Sequence, residues 1–161
     1  MRQGKGLEMM SLKDEPGRLI AENYPVRFDT RVLYSDMDAF RHLNNGATGR
    51  YFEEARATLN IRVFGVDCMI DPPDGLQLLF ASINLDFLEQ AYYPGQVEIC
   101  TAITKIGNSS FTQAQAAFQN GRCFALAQAA MVKARYGRPE PLTEAERAAM
   151  RNLLLQNLAN I

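Results

Sequence analysis

The chain has 161 residues, the length of one domain, and a hydrophobic content of 47% that is sufficient for one core. Its 17 lysine and arginine residues nearly balance its 18 aspartate and glutamate residues, which argues against nucleic acid as a partner. The N-terminal segment lacks the apolar run of a secretory signal, and no segment has the roughly 20 apolar residues of a membrane-spanning helix. We therefore expect a cytoplasmic protein without membrane insertion.

Residues 1–22 mix charge, glycine and proline without a clean period, which predicts a loosely structured N-terminal arm. A single domain is expected over residues 23–161. Within it, apolar and polar residues alternate from Val26 to Tyr34, as they do in a strand with one buried face. The domain is therefore expected to open with a strand.

A long helix is predicted next. Apolar residues recur at helical spacing from Tyr51 to Val63, and the helix is expected to span about five turns. Asn44 or Asn45 can cap it, because a short amide side chain accepts hydrogen bonds from free backbone amides. We expect the helix to end near Gly65, and the proline-containing segment 67–75 to be an irregular connection.

Four strands in meander order are predicted after this connection. Residues 82–87 and 97–104 alternate between apolar and polar side chains. Segments 113–119 and 125–134 are rich in alanine and glutamine, which favour helix, but Asn120-Gly121 between them is a strong hairpin signal. We predict two strands there, since alanine also leaves room for a helix packed on a sheet.

A C-terminal helix is predicted from a capping box, Thr143 followed three residues later by Glu146. Its apolar stripe consists of Met150, Leu153, Leu154 and Leu158. The predicted order is therefore a strand, a long helix, four strands and a final helix.

The candidate chemistry lies in the polar loop between the first strand and the long helix. The loop carries Ser35, Asp36, Asp38, His42, Asn44 and Asn45. The free amides and positive dipole end of a helix N-terminus can bind a carbonyl oxygen that gains negative charge. A carboxylate beside them can attack the carbonyl carbon or deprotonate a water molecule. The same residue types are common in turns and caps, so a purely structural role is the alternative.

Other kinds of site have little support in the sequence. His42 is the only histidine, so no metal site is predicted. The three cysteines lack metal-ligand spacing and are interpreted as reduced core residues. There is no G-x-S-x-G motif for a serine nucleophile and no glycine-rich phosphate loop for a nucleotide.

The segment from Tyr34 to Arg56, YSDMDAFRHLNNGATGRYFEEAR, resembles the 4-hydroxybenzoyl-CoA thioesterase family of hotdog-fold acyl-CoA thioesterases. The similarity includes the pattern D-x-D-x-x-x-H-x-N-N and the aromatic-Glu-x-Ala-Arg ending of the segment, represented by Phe52, Glu53, Ala55 and Arg56. The resemblance implies an α+β hotdog fold, in which a curved antiparallel sheet wraps around one long central helix. It also implies a homodimer or a dimer of dimers with active sites between subunits.

The resemblance further implies roles for single residues. Asp38 matches the catalytic aspartate, as nucleophile or general base, and Asp36 is the weaker candidate. His42 matches a histidine that positions the acid or the water. Asn45 falls where a backbone amide polarises the thioester carbonyl, and Gly46 follows it in that substrate-binding turn.

Two positions depart from related enzymes. Phe40 and Arg41 stand where relatives have asparagine and glycine. Arg41 can pair with Asp36, contact the substrate or remain solvated. Glu53 and Glu54 are reserve candidates for the base, because other hotdog enzymes use a helix glutamate.

The expected reaction is hydrolysis of acyl-CoA, or of an acyl carrier protein thioester, to a free acid and a thiol without a cofactor. Lys105, Ser109 and Ser110 are the candidates for binding the CoA moiety. The alternatives for this role are Lys133, Arg135 and Arg138. The alternative functions are a non-catalytic hotdog domain that binds acyl-CoA as a sensor or carrier and, more remotely, dehydratase or hydratase chemistry.

Overall fold

The computed structural model describes residues 11–157, which form one antiparallel sheet and three helices. The strands are β1 (Val26–Arg31), β2 (Leu76–Phe87), β3 (Gln96–Ile106), β4 (Ser110–Gln119), β5 (Arg122–Arg135) and β6 (Arg138–Pro139). The helices are α1 (Asn45–Phe64), α2 (Asp67–Ile70) and α3 (Glu144–Arg151). None of these helices is long and apolar enough to cross a membrane.

The long helix α1 forms where the sequence predicts it and packs on one face of the sheet. Asn44 caps it by accepting a hydrogen bond from the Gly46 amide at 2.7 Å, and Gly65, with φ 83°, follows its last residue. Phe52 and Leu59 are fully buried between the helix and the sheet. Burying such a side chain contributes about 1.5–3 kcal/mol.

The alanine-rich segments are strands, as predicted. β4 and β5 pair through the hairpin at Asn120 and Gly121, whose φ values are 51° and 75°. Ala125 and Ala127 are fully buried in the cluster that also contains Phe52. Strand pairing and burial in the core therefore override the helix propensity of alanine, although α1 itself lies closest to β1 and β3.

The predicted meander order is wrong for β2. The sheet order is β1-β3-β4-β5-β2, so β2 is an edge strand. It runs antiparallel to β5, with Leu76 opposite Arg135 and Phe87 opposite Ala125. The connection over residues 88–95 therefore crosses the end of the sheet to reach β3. Alternation identifies a strand but does not specify its partner, which explains the error.

Part of the N-terminal segment differs from the loosely structured arm predicted for it. Residues 11–22 lie against the sheet face opposite α1, where Leu12 and Tyr24 pack with Leu126. Both faces of the sheet therefore pack against other parts of the chain, although the face opposite α1 is covered only in part. Residues 1–10 of the predicted arm lie outside the described residues.

Arg18 anchors this segment from a fully buried position. Its guanidinium donates to the Ala127 carbonyl at 2.7 Å, to Glu15 at 2.6 Å, and to Gln128 and the Tyr24 hydroxyl at 3.2 Å. A buried charge is tolerated only with such partners. The composition of the segment could not reveal the contacts with Ala127 and Gln128, because these partners are distant in sequence.

Several boundaries differ from those predicted. The segment 67–75, predicted to be irregular, contains α2 and a 3-10 turn over Pro73–Gly75. β2 begins at Leu76, earlier than its alternating pattern suggests. β1 ends at Arg31, so that Tyr34 lies in a turn rather than in the strand.

The C-terminal helix is shorter than predicted. α3 begins at the predicted capping box of Thr143 but ends at Arg151. Residues 153–155 then pair with Ile103 of β3 through hydrogen bonds of 2.7 and 2.8 Å instead of continuing the helix. Leu158, predicted to lie on the apolar stripe, is outside the described residues.

Replacing Arg18 by alanine should destabilise the fold by at least about 2 kcal/mol, because the variant leaves buried acceptors such as the Ala127 carbonyl without a donor. Urea unfolding measures the change. Arg122→Ala is the matched control: this arginine pairs with Glu89 but its side chain is 74% exposed, so the loss should stay below about 1 kcal/mol. Equal losses in the two variants would contradict an anchoring role for Arg18.

Candidate active site

The polar loop over residues 32–44 is held between β1 and α1 by the connection that leads from β2 to β3. The Val32 amide donates to the Gly95 carbonyl and the Leu43 amide to the Ala91 carbonyl, each at 2.8 Å. These bonds fix both ends of the loop. The loop therefore has a defined position at the end of the sheet where α1 begins.

Asp38 lies in a tight turn of this loop. Its amide donates to the His42 carbonyl at 2.9 Å, and its Oδ1 accepts from the amides of Phe40 at 2.8 Å and His42 at 3.1 Å. Both side-chain bonds end on the same oxygen, and within residues 11–157 no donor contacts Oδ2. The half-buried carboxylate is thus oriented by the turn and retains one oxygen for a substrate or a water molecule.

The amides at the start of α1 are not equivalent. The Asn44 amide donates to the Asp36 carbonyl at 2.8 Å, and the Gly46 amide donates to the Asn44 side chain. The first intrahelical bond runs from the Thr48 amide to the Asn44 carbonyl at 3.0 Å. Asn45 is exposed and its amide precedes this ladder, so it is the better placed of the two predicted residues to bind an oxyanion.

His42 meets Asp38 through its backbone. The His42 amide donates to the carboxylate, whereas the imidazole ring makes an edge-to-face contact with Tyr92 at 5.6 Å between centroids. The structure therefore brings the predicted pair together. The contact that orients the carboxylate comes from the main chain and not from the ring.

Asp36 is committed to a structural network. It is buried and accepts from the Tyr51 hydroxyl at 2.5 Å and from Arg50 at 2.8 Å. Burial raises the pKa of Asp36, but the bonds from Tyr51, the Leu33 amide and Arg50 together outweigh burial and lower the pKa. Arg50, and not Arg41, is therefore the cation that pairs with Asp36.

A surface cleft opens beside Asp38. Its lining residues are Tyr34, Met37, Asp38, Arg41 and Tyr93. Tyr34 and Tyr93 make an edge-to-face contact at 5.6 Å. Arg41 has φ 63°, a left-handed conformation that costs a residue other than glycine about 1–2 kcal/mol. Aromatic rings and a cation thus surround the candidate carboxylate.

A second cleft, the α1–β2 cleft, lies between the long helix and the edge strand. It is lined by Glu53, Arg56, Ala57 and Asn60 of α1, by Leu76, Gln77, Leu78 and Phe80 of β2, and by Cys68, Met69, Pro72 and Met131. Of the two reserve glutamates, Glu53 lines this cleft, while Glu54 is exposed elsewhere on the helix. The cleft is therefore a second possible location for an acyl group.

The predicted CoA-binding residues lie far from Asp38 within one chain. Lys105 is near the end of β3, Ser109 lies in the turn before β4, and Ser110 is the first residue of β4. β3 begins next to the Asp38 loop and runs away from it for about 30 Å. The structure does not bring these three residues to Asp38 in a single chain.

Arg56 ends the segment that resembles the thioesterase family, but no function was predicted for it. It lies four residues after Phe52 and three before Leu59, which places a cation on the buried stripe of α1. A charged residue among the apolar positions of the helix was the signal in the sequence that could have identified it. Tyr93 was also overlooked, because its proximity to the loop depends on the tertiary fold.

Residues 11–157 contain no group of three or more histidine, cysteine, aspartate or glutamate side chains that could hold a metal ion. Cys68, Cys100 and Cys123 are free, and the first two are buried. The absence of a metal and a cofactor from the reaction stays a prediction.

The family of the chain follows from residues 32–153, which match the model of the thioesterase-like superfamily. The chain belongs to the thioesterase-like superfamily. The predicted recognition, the hotdog fold and the assignment as a thioester hydrolase are confirmed at this level. A comparison with curated protein sequences gives no match.

Solved structures share the fold. A thioesterase from Thermus thermophilus, complexed with coenzyme A and Zn, is 27% identical with a TM-score of 0.71, over 82% of this chain and 96% of that chain. A predicted thioesterase from Bacillus stearothermophilus is 28% identical with a TM-score of 0.71, over 81% and 98% of the two chains. The PA5185 protein from Pseudomonas aeruginosa is 23% identical with a TM-score of 0.73, over 84% and 95%.

Replacing Tyr51 by phenylalanine should raise the pKa of Asp36 and cost about 1–3 kcal/mol at neutral pH, because a buried carboxylate loses a donor. The folded pKa of Asp36 lies below its unfolded value of about 3.9, so the stabilisation exists above about pH 4 and is lost as the pH falls through the folded pKa. Urea unfolding at pH values above and below this point should show that the difference in unfolding free energy between the variant and wild type becomes smaller in acid. Tyr136→Phe, at a residue 75% exposed, is the control. If the loss of unfolding free energy in Tyr51→Phe did not depend on pH, it would contradict the hydrogen-bond network around Asp36.

Proposed function

We propose that the chain hydrolyses acyl-CoA thioesters to a free acid and CoA, with Asp38 as the catalytic carboxylate. One observation carries the proposal: the Asp38 carboxylate, with no donor on Oδ2 among residues 11–157, lies in the short loop that leads directly into α1, where the exposed Asn45 supplies the first amide of the helix. A thioester carbonyl between them can receive attack at carbon while the amide and the helix dipole stabilise the oxyanion. Membership of the thioesterase-like superfamily supports this reaction class.

Two routes use the same groups. As nucleophile, the Asp38 carboxylate adds to the thioester carbonyl and expels the CoA thiolate, which takes a proton from solvent, and water then hydrolyses the acyl–aspartyl anhydride. As general base, Asp38 takes a proton from a water molecule that adds to the carbonyl, and the departing thiolate receives that proton. Both routes need the free Oδ2, and the backbone bond from His42 keeps the carboxylate in position.

The edge strand β2 supports a homodimer. Leu79, Phe80 and Phe87 of this strand are 41%, 49% and 46% exposed. An exposed, apolar edge strand is a surface for pairing, and antiparallel pairing of two copies gives a closed two-fold interface. Residues 11–22 cover part of the sheet face opposite α1, which leaves less of that face for a dimer of dimers.

Antiparallel pairing of two β2 strands supports an active site shared by two subunits. It brings the Phe87 end of one β2 toward the Leu76 end of the other. The Asp38 loop is bonded to the connection 88–95, which follows Phe87. The loop of one subunit then approaches the α1–β2 cleft of its partner, so the acyl group can extend from Asp38 into that cleft.

The same pairing supports the predicted CoA site. The β3–β4 turn lies at the Leu76 end of the sheet, so the turn of one subunit approaches the Asp38 loop of the other. Lys105, Ser109 and Ser110 of the partner subunit can then contact CoA. The preference for CoA over an acyl carrier protein and the cytoplasmic location stay predictions.

The second candidate function is a non-catalytic hotdog domain that binds acyl-CoA as a sensor or carrier. Two features of the loop favour it. Phe40, which is 81% exposed, and Arg41, which has a left-handed backbone, occupy the two positions beside Asp38 where the sequence departs from related enzymes. Such a domain would retain the clefts and lose the reaction.

Asp38→Asn should lower kcat/KM by at least about a hundredfold, because the amide is neither a nucleophile nor a base in this reaction. The measurement is thiol release from a panel of aliphatic and aromatic acyl-CoAs. Asp14→Asn is the matched control, the same change at an exposed carboxylate outside both clefts, and should keep turnover within a few-fold of wild type. Glu53→Gln tests the reserve base separately.

Unchanged turnover in Asp38→Asn would contradict the role of this residue. Loss of turnover in Glu53→Gln alone would transfer the role of base to the helix glutamate. Acyl-CoA binding without turnover in the wild type would support the sensor or carrier function.

Leu79→Lys should weaken the dimer, because it places a charge on the edge strand proposed to pair with its copy. Sedimentation velocity measures the change against a wild type with twice the chain mass of 18.0 kDa. Ile70→Lys, at a residue that is 76% exposed but off the strand, is the control and should leave the mass unchanged. A monomeric wild type would exclude the proposed interface.

A further inference from the structure

Arg56 contributes a nearly buried cation to the α1–β2 cleft. Its residue is 8% exposed, its Nη1 donates to the Gln115 side chain at 3.1 Å, and its guanidinium lies 4.7 Å from the centroid of the Phe80 ring. No carboxylate within residues 11–157 forms an ion pair with it. Burial lowers the pKa of the Arg56 guanidinium, and the charge of Glu53 opposes this shift.

The remaining donors of Arg56 are open to the cleft. In the described part of the chain, Gln113 Oε1 is the side-chain polar atom that is both buried and without a partner. Nε and Nη2 of Arg56 also lack a protein acceptor, yet they are not among the buried unpartnered atoms. They are therefore accessible from the cleft that Arg56 lines. A cation in this position is costly for the fold and is accordingly a candidate for ligand binding.

The other lining residues determine what can reach this cation. The apolar walls are formed by Met69, Pro72, Leu76, Leu78, Phe80 and Met131. The polar groups besides Arg56 are Glu53, Asn60 and Gln77. Glu53 is exposed, so water and salt screen its repulsion of an anion. The cleft therefore suits an apolar chain that carries an oxygen acceptor at its end.

We propose that Arg56 binds a carboxylate at the far end of the acyl group, so that the preferred substrates are CoA monothioesters of dicarboxylic acids. This inference rests on the proposed function, because it places the acyl group in the α1–β2 cleft. A guanidinium presents paired donors in a plane that matches the two oxygens of a carboxylate. The Phe80 ring and Gln115 hold that plane in place.

The test is equilibrium binding by titration calorimetry with non-hydrolysable thioethers, S-(carboxyalkyl)-CoA against S-alkyl-CoA of matched chain lengths. Wild type should bind the carboxyalkyl ligand at least about tenfold more tightly at the length that reaches Arg56. Arg56→Met, which keeps the apolar contact with Phe80, should abolish this preference. Arg62→Met, at an exposed arginine of the same helix, should retain it.

Equal or weaker binding of the carboxyalkyl ligand to wild type at every length overturns the inference, and so does a preference that survives in Arg56→Met. The wild-type comparison decides the question even where Arg56→Met does not fold. A third outcome also overturns the inference. If wild type shows no ligand preference and Arg56→Met changes the mass of the dimer, Arg56 belongs to the contact between two copies. Because thioethers are not hydrolysed, these outcomes are independent of whether Asp38 catalyses hydrolysis.

Discussion

The packing of α1 on the sheet, closest to β1 and β3, sets the positions of the Asp38 loop and of the α1–β2 cleft. Phe52 of the helix is fully buried in one cluster with Val97 and Ile99 of β3 and with Ala125 and Ala127 of β5. With the helix fixed along its length, its first turn lies against the loop that carries Asp38. Its middle turns form one wall of the α1–β2 cleft. A shift of this helix would therefore move the oxyanion donor and the acyl site together.

The charged groups near the clefts differ in how many of their hydrogen-bonding atoms have a partner within the protein. Asp36 is buried and receives donors from Tyr51 and Arg50, so its charge serves the fold. Asp38 keeps one free oxygen, and Arg56 keeps free donors, although both lie beside clefts. A folded protein gains stability by satisfying such groups, so unsatisfied ones at a cleft are the better candidates for function.

Features that depend on local chemistry could be predicted from the sequence. The helix α1 has a clear period and its cap at Asn44, and the loop residues follow a motif with fixed spacing. The pairing of β2 with β5 could not be predicted, because alternation carries no information about the partner strand. The contacts of Arg18 with Ala127, and of Arg56 with Gln115, join residues far apart in sequence. Such contacts exist only after the chain has folded, so the packed N-terminal segment and the cation in the cleft were missed.

The most direct test of a shared active site is subunit complementation. Ala57 is half-buried in the wall of the α1–β2 cleft, so Ala57→Trp should block the cleft while Asp38→Asn removes the carboxylate. Thiol release is measured after the two inactive variants are mixed and their subunits exchanged. In a mixed dimer one site combines an intact Asp38 with an intact cleft, so random exchange should restore about a quarter of wild-type activity. Activity no greater than the sum of the separate variants would place the whole site within one chain and contradict the shared site.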